Sequence, residues 1–251
     1  MPTKYLRTSD LARAAGIHPN TVRLYVEWGL IPPVERSPSG YRLFTQHHLD
    51  CVVLARTIYE CDYPGRALRS FGNEIIQHAV KNDWQAALEK AHAYLCAVKA
   101  ELQQADTAAN VLETWAQNIQ EEPVFPEPLA ISRTAELLGV SRDMIRNWER
   151  NGLIKVPRNP DNNYRLFGKI EFERLRIIRM LARAGYSHMA ILRMFLEMDR
   201  GNTDNLKQVL DTPHSDEDIF IAADHWLTTL HNQQDMALNV IRIIEDRISA
   251  G

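Results

Sequence analysis

The chain has 251 residues, 45% hydrophobic and 24% charged, with a formal net charge of −3; this length favours two modest domains and the composition can bury a core. No apolar run reaches the roughly 18 residues of a membrane-spanning helix, and the start, Met1-Pro2-Thr3-Lys4-Tyr5, lacks a secretory apolar stretch, so the cytoplasm is the expected compartment. Three cysteines (Cys51, Cys61 and Cys96), with no C-x-x-C pair, exclude a disulfide framework and a closed thiolate zinc site, leaving them as small buried hydrophobes.

In chain order, Ser9 is placed to cap a short helix that ends near Gly16, where a glycine suits a left-handed turn. A second helix follows at once, with Pro19 at its first position, and stops at Gly29. Ser37-Pro38-Ser39-Gly40 is the tip of a hairpin between short apolar segments. Thr45 opens a third helix and Tyr63-Pro64 a fourth. Apolar residues then recur at Trp84, Leu88, Ala91, Leu95, Val98, Leu102, Ala105, Ala109, Leu112 and Ala116, the alternating four-and-three spacing of a coiled-coil seam. Asn118–Pro128, with Pro123, Pro126 and Pro128 beside Glu121, Glu122 and Glu127, is expected to be a semi-rigid, solvated linker.

The pattern then starts again. Ser132 and Gly139 bound a short helix, Ser141 caps a second that ends at Gly152, and Asn159-Pro160-Asp161-Asn162-Asn163 forms a hairpin tip. Gly168 and Tyr186-Ser187 open two further helices, and a second seam runs through Ile219, Ala223, Trp226, Leu230, Gln233, Ala237, Val240 and Ile244. Gln233 is a polar break that fixes register. Displaced by 123 positions, Ala12, Gly16, Arg23, Gly29, Leu30 and Ile31 fall on Ala135, Gly139, Arg146, Gly152, Leu153 and Ile154. Tyr41-Arg42-Leu43-Phe44 falls on Tyr164-Arg165-Leu166-Phe167, and Arg56, Tyr63 and Ala67 on Arg179, Tyr186 and Ala190. A gapless register of this length marks a duplicated domain.

The expected fold is therefore mainly α: two winged helix-turn-helix domains, each followed by a long coiled-coil-type helix. The expected divisions are 1–75 for the first such domain, 76–117 for its helical region, 118–128 for the linker, 129–200 for the second domain and 201–251 for its helical region. Helix, glycine turn, helix is the motif whose second helix enters the major groove of duplex DNA.

Charge agrees once it is taken locally. Met1–Thr45 carries six Lys and Arg against three Asp and Glu, and Leu129–Lys169 eight against four, whereas Trp84–Pro128 carries two against seven. Two basic modules flank an acidic segment.

The candidate DNA contacts follow. His18, Asn20 and Thr21, after which the second helix runs on, face Ser141, Arg142 and Asp143 in the second copy, where base reading normally occurs. Their difference implies two unlike half-sites. Arg23 and Arg146 sit at matching helix positions with forks suited to phosphate or a guanine edge. Arg36, Tyr41 and Arg42, and Arg158, Tyr164 and Arg165, belong to the hairpins, where the arginines clamp backbone and the tyrosines either join them or pack on the core. Tyr25 and Trp148 carry the same ambiguity between phosphate contact and core. Leu88, Leu95, Val98, Leu102 and Leu112, with Trp226, Leu230, Val240 and Ile244, are expected to pair the long helices. Adjacent His47 and His48 diverge on a helix and make no metal pair, Trp84, Trp115 and Trp226 are expected to pack in seams, and no cofactor is implied. No phosphate loop, nucleophile triad or paired carboxylates occur, so no enzymatic activity is expected.

Both copies resemble the DNA-binding domain of the MerR family of bacterial regulators. The likeness lies in Thr21-Val22-Arg23-Leu24-Tyr25 through Gly29-Leu30-Ile31-Pro32-Pro33 and Ser39-Gly40-Tyr41-Arg42-Leu43-Phe44. In the second copy it lies in Ile145-Arg146-Asn147-Trp148-Glu149-Arg150, Gly152-Leu153-Ile154 and Asn163-Tyr164-Arg165-Leu166-Phe167. The family's usual acidic residue after the helix aromatic is Glu149 here but Val26 in the first copy, and the wing glycine, Gly40, becomes Asn163, which tolerates a positive φ. A second DNA-binding copy stands where family members carry an effector-sensing tail.

The resemblance implies a sequence-specific regulator of transcription that binds promoter DNA, distorts an overlong spacer and so admits RNA polymerase. It also implies antiparallel pairing of the long helices, expected here within one chain as a monomeric pseudo-dimer, a homodimer with four DNA-binding units being the rival. The alternatives are an architectural DNA-bender, such as a phage or chromosome-organising protein, and a helical protein-interaction scaffold.

Overall fold

The computed structural model of the chain describes residues 5–61, 66–117, 127–213 and 222–250. The expected helix start at Tyr63-Pro64, most of the linker (118–126) and Ile219 lie outside them. Helices dominate, and none of those described is long and apolar enough to cross a membrane.

In the first copy α1 (Thr8–Ala15) and α2 (Pro19–Glu27) enclose the turn at Gly16, whose φ of 65° is the left-handed value expected there. A two-residue hairpin, β1 (Glu35–Arg36) with β2 (Arg42–Leu43), forms the wing, with Arg36 opposite Arg42. Then come α3 (Gln46–Tyr59), α4 (Arg66–Val80) and α5 (Trp84–Gln117). The second copy repeats the order: α6 (Ile131–Leu138), α7 (Arg142–Arg150), a wing bridged at Arg158 and Arg165, α8 (Lys169–Arg183) and α9 (His188–Asp199). A short α10 (Leu206–Asp211), which the seam pattern gave no sign of, and the long α11 (Trp226–Ser249) complete it.

Several local expectations fail for physical reasons. Ser9 and Ser132 lie inside α1 and α6; the caps are Arg7, whose N–H donates to Asp10 Oδ2 at 3.0 Å, and Ala130. The helices start early because the residue before each cap is fixed in an isolated β-bridge: Leu6 pairs with Phe44 and Leu129 with Phe167 through reciprocal backbone bonds of 2.8–3.1 Å. Phe44 and Phe167 are fully buried, so each wing is rooted in its core. Ser141, Ser187 and Thr45 do begin helices, the two serines accepting N–H groups of Met144 and Ala190. The wings break the gapless register, since the ladder sets Ser37 against Tyr41 but Asn159 against Tyr164. The second tip is one residue longer, and Arg36 corresponds to Arg158.

Arg56 lies across the α1 turn and donates to the Ala15 carbonyl, and a methyl group on Gly16 would meet its guanidinium at 2.5 Å; Arg179 lies 3.5 Å from the same point on Gly139. A glycine and an arginine recur together in the sequence because they touch.

Compactness groups the chain differently from its duplication. One unit holds Met1–Ala100 with Leu230–Gly251, the other Glu101–Thr229. In the first unit, Arg247 of α11 pairs with Asp50 at 2.7 Å and lies 5.7 Å from the Trp84 ring, while Tyr94 donates to Gln233 Oε1 at 2.6 Å in a fully buried bond. Moving from Trp84 to Tyr94 on α5 thus runs from Arg247 back to Gln233 on α11: the helices are antiparallel. Tyr94, absent from the seam, is the partner of the register-fixing glutamine. In the second unit the later half of α5 receives the Tyr186 hydroxyl on the Ala105 carbonyl (3.1 Å) and the Lys207 ammonium on Asp106. Each copy therefore packs with the far half of the helix that follows the other.

Of the pairing residues, Leu95, Val98, Leu112, Leu230, Val240 and Ile244 are buried, while Leu88 and Leu102 are half-buried. Trp226 is buried for another reason: its indole N–H donates to the Ala184 carbonyl at 2.7 Å, and its ring covers Gly185. Trp84 is buried as expected and Trp115 only half so. Among the cysteines only Cys51 is buried, its thiol pushed up to about 12 chiefly by burial; Cys61 is half-buried and Cys96 exposed. His48 is buried with Nδ1 accepting the Thr45 N–H at 3.1 Å, and His47 stands edge-on to Trp84.

Gly185 has a φ of 97° and a methyl there would sit 2.5 Å from the Trp226 indole. Gly185→Ala is expected to cost about 2–4 kcal/mol of unfolding free energy, measured by urea denaturation; an unchanged midpoint would contradict this packing.

Candidate nucleic-acid interface

Each copy builds its candidate surface on a buried base. On α2, Val22 and Tyr25 point inward and Leu30 and Ile31 close the core behind them; on α7, Ile145, Trp148, Leu153 and Ile154 do the same. Residues three apart share a helix face, so the opposite face is left to solvent. It carries His18, Asn20 and Arg23, with Thr21 half-buried, in the first copy and Ser141, Arg142, Asp143 and Arg146 in the second. Leu24 and Met144 on these helices, and Trp28 at the C-cap of α2, are exposed as well.

Tyr25 and Trp148 are 8% and 3% exposed, so both rings pack in the core. Burial, with the neighbouring Tyr59, raises the Tyr25 phenol above its ordinary pKa. The wing tyrosines go the other way. Tyr41 is 72% exposed and Tyr164 73%, so neither packs on the core.

Local bonds hold several candidates in place. His18 is the N-cap of α2, its Nδ1 accepting the Asn20 N–H at 3.2 Å, and Ser141 Oγ caps α7 through Met144 at 3.0 Å. Arg146 pairs with Asp143 at 2.8 Å, and Arg23 reaches Asn20 Oδ1 at 3.5 Å. At the wing tips Arg36 donates to the Gly40 carbonyl at 3.0 Å and Arg158 to the Asn163 carbonyl at 3.4 Å. Gly40 and Asn163 both take positive φ, 85° and 58°, so asparagine replaces glycine in the same turn conformation.

The acid at the end of α7 has a visible task. Glu149 Oε2 accepts the Arg165 Nε–H at 2.7 Å, and Oε1 lies 3.6 Å from Arg158 Nη2, so one half-buried carboxylate ties both wing arginines to the helix. Val26 stands in its place in the first copy. Among the described residues no carboxylate pairs there with Arg42, and no group of three or more His, Cys, Asp or Glu side chains is arranged to hold a metal.

With this geometry in hand, the comparisons with known proteins are consistent. The model of the MerR family regulatory protein matches residues 7–44 and that of the MerR helix-turn-helix family regulatory protein residues 129–197. The chain carries two MerR helix-turn-helix domains. The HTH-type transcriptional regulator CueR of Escherichia coli O157:H7 is 41% identical over 51 residues, 20% of this chain and 38% of that protein. CueR of Vibrio cholerae O395 is 43% identical over 49 residues, 20% and 35%. The probable heavy metal-dependent transcriptional regulator of Haemophilus influenzae is 36% identical over 69 residues, 28% and 54%. The chain thus spans about a third to just over half the length of these curated relatives. No solved structure matches it.

The burial contrast among the MerR-type aromatics is testable. Trp148→Ala removes a core ring and is expected to cost about 3–5 kcal/mol, whereas Tyr41→Ala and Tyr164→Ala should leave the thermal midpoint within a degree or so of the wild type, being exposed. Equal destabilisation by all three would contradict the assignment.

Proposed function

We propose that this protein is a sequence-specific, double-stranded-DNA-binding regulator of transcription that acts as a single-chain pseudo-dimer. The observation that carries the reading is the repetition of one device: an exposed helix face beside a wing bearing an outward tyrosine and two arginines, in both copies. The named relatives are transcriptional regulators, which supports the same conclusion. The pseudo-dimer is supported by the antiparallel packing of α5 and α11 of one chain in the first unit, pinned by Tyr94 and Gln233.

In this reading α2 and α7 lie in the major groove, the residues at their starts meet base edges, and the wings hold phosphate. His18, Asn20 and Thr21 differ chemically from Ser141, Arg142 and Asp143, so the operator is an imperfect palindrome. DNA in a promoter spacer is bent and untwisted, at a cost of about 1–6 kcal/mol that backbone contacts offset, and RNA polymerase gains a usable promoter. Binding weakens steeply with salt, as phosphate contact requires.

The test is a pulldown of genomic fragments by the wild type and by the Arg42→Ala/Arg165→Ala variant. The wild type is expected to retain one or a few promoter fragments, and the double variant, melting at the wild-type temperature, none. Retention of the same fragments by the double variant would overturn the reading. Retention of many unrelated fragments by the wild type would replace a regulator with an architectural DNA-bender.

A further inference from the structure

We infer that Glu149 makes the two grips unequal: it holds the wing arginines of the second copy so that they take phosphate only where the backbone, and hence the sequence that shapes it, places the acceptors correctly, while Val26 leaves those of the first copy to hold phosphate without discrimination. This deepens the DNA-binding reading and rests on it.

The geometry of the second wing is that of a braced fork. Trp148, one residue before, is buried and fixes the end of α7 in the core, so Glu149 starts from a rigid point. Its carboxylate takes the Arg165 Nε–H at 2.7 Å and lies 3.6 Å from Arg158, whose other amino group reaches the Asn163 carbonyl. An arginine held by Nε has the plane of its guanidinium set, and its two terminal amino groups remain as parallel donors. Rotamer freedom already surrendered in the free protein is not lost again on binding. Such a fork discriminates between correctly and wrongly placed acceptors. The carboxylate also offsets one of the two positive charges, which weakens the attraction for phosphate at any sequence.

The first wing inverts both terms. The ladder sets Arg36 and Arg42 where the second copy has Arg158 and Arg165, but the residue that corresponds to Glu149 on the helix is Val26. Among the described residues neither arginine forms an ion pair with a carboxylate and no helix side chain holds Arg42, while Arg36 donates to the Gly40 carbonyl. More charge with less order gives a strong, salt-sensitive and sequence-tolerant grip. One chain thus combines an anchor that tolerates many sequences with a reader that does not.

The test compares the wild type with Glu149→Val, Glu149→Gln and Val26→Glu. Each is titrated with the duplex most enriched by the wild type from a randomised pool and with an unrelated mixed-sequence duplex, with melting followed in parallel. Glu149→Val is expected to lower the ratio of the two affinities about tenfold, binding the unrelated duplex as tightly as the wild type or more so. Glu149→Gln, which keeps an oxygen acceptor, should lose less. Val26→Glu, which supplies the missing brace, should raise the ratio and flatten the salt dependence, and it decides the matter if the variants at 149 fail to fold. Proportional weakening on both duplexes, or a ratio indifferent to position 149 and to Val26→Glu, would overturn the inference while leaving DNA binding intact. A wild type that enriches no duplex would overturn the underlying reading as well.

Discussion

Two long helices with apolar stripes have to bury them, and in this chain they use each other. Within a protein, a helix such as α5, 34 residues long, draws most of its stability from packing of its apolar face. The buried faces of α5 and α11 meet in opposite directions in the first unit, and the polar pair Tyr94 and Gln233 sits fully buried within the contact. A buried amide without its partner costs about 1–3 kcal/mol, so a register that separates these two side chains is disfavoured. Apolar residues supply the adhesion and the Tyr94–Gln233 bond favours this alignment.

The duplicated domains depend on that alignment because neither is completed by its own helix alone. The first takes the end of α11 through Asp50 and Arg247, and the second takes the later half of α5 through Tyr186 and Lys207. Behind each wing, a bridge residue before the first helix, Leu6 or Leu129, pairs with a buried phenylalanine at the wing base. The exposed tyrosine three positions earlier is thus held on a short arm rooted in the core.

Much of this was legible in the sequence wherever a residue's local chemistry is decisive. The glycines at 16 and 139, the serine caps at 141 and 187, the turn asparagine at 163 and the repeated Tyr-Arg-Leu-Phe all took the conformations their chemistry requires. What failed depended on tertiary contact. Ser9 and Ser132 have good cap chemistry, but a strand bridge upstream starts the helices earlier. Trp226 fits the heptad pattern, yet its indole is claimed by the turn at Ala184 and Gly185. Tyr94 adjoins the seam residue Leu95 and was hidden by it, because a heptad pattern describes one partner and α5 buries a wider face. The extra residue in the second wing was masked by a compensating shortening before it. Of the candidate contacts, exposure on the helix and wing could be inferred from periodicity; the brace at Glu149 could be noticed as an acid but not seen as a tie.

If the helix pair forms within one chain, light scattering of the free protein across the micromolar range gives a concentration-independent mass of 28.8 kDa. A stable species of twice that mass would mean that the stripes are shared between chains.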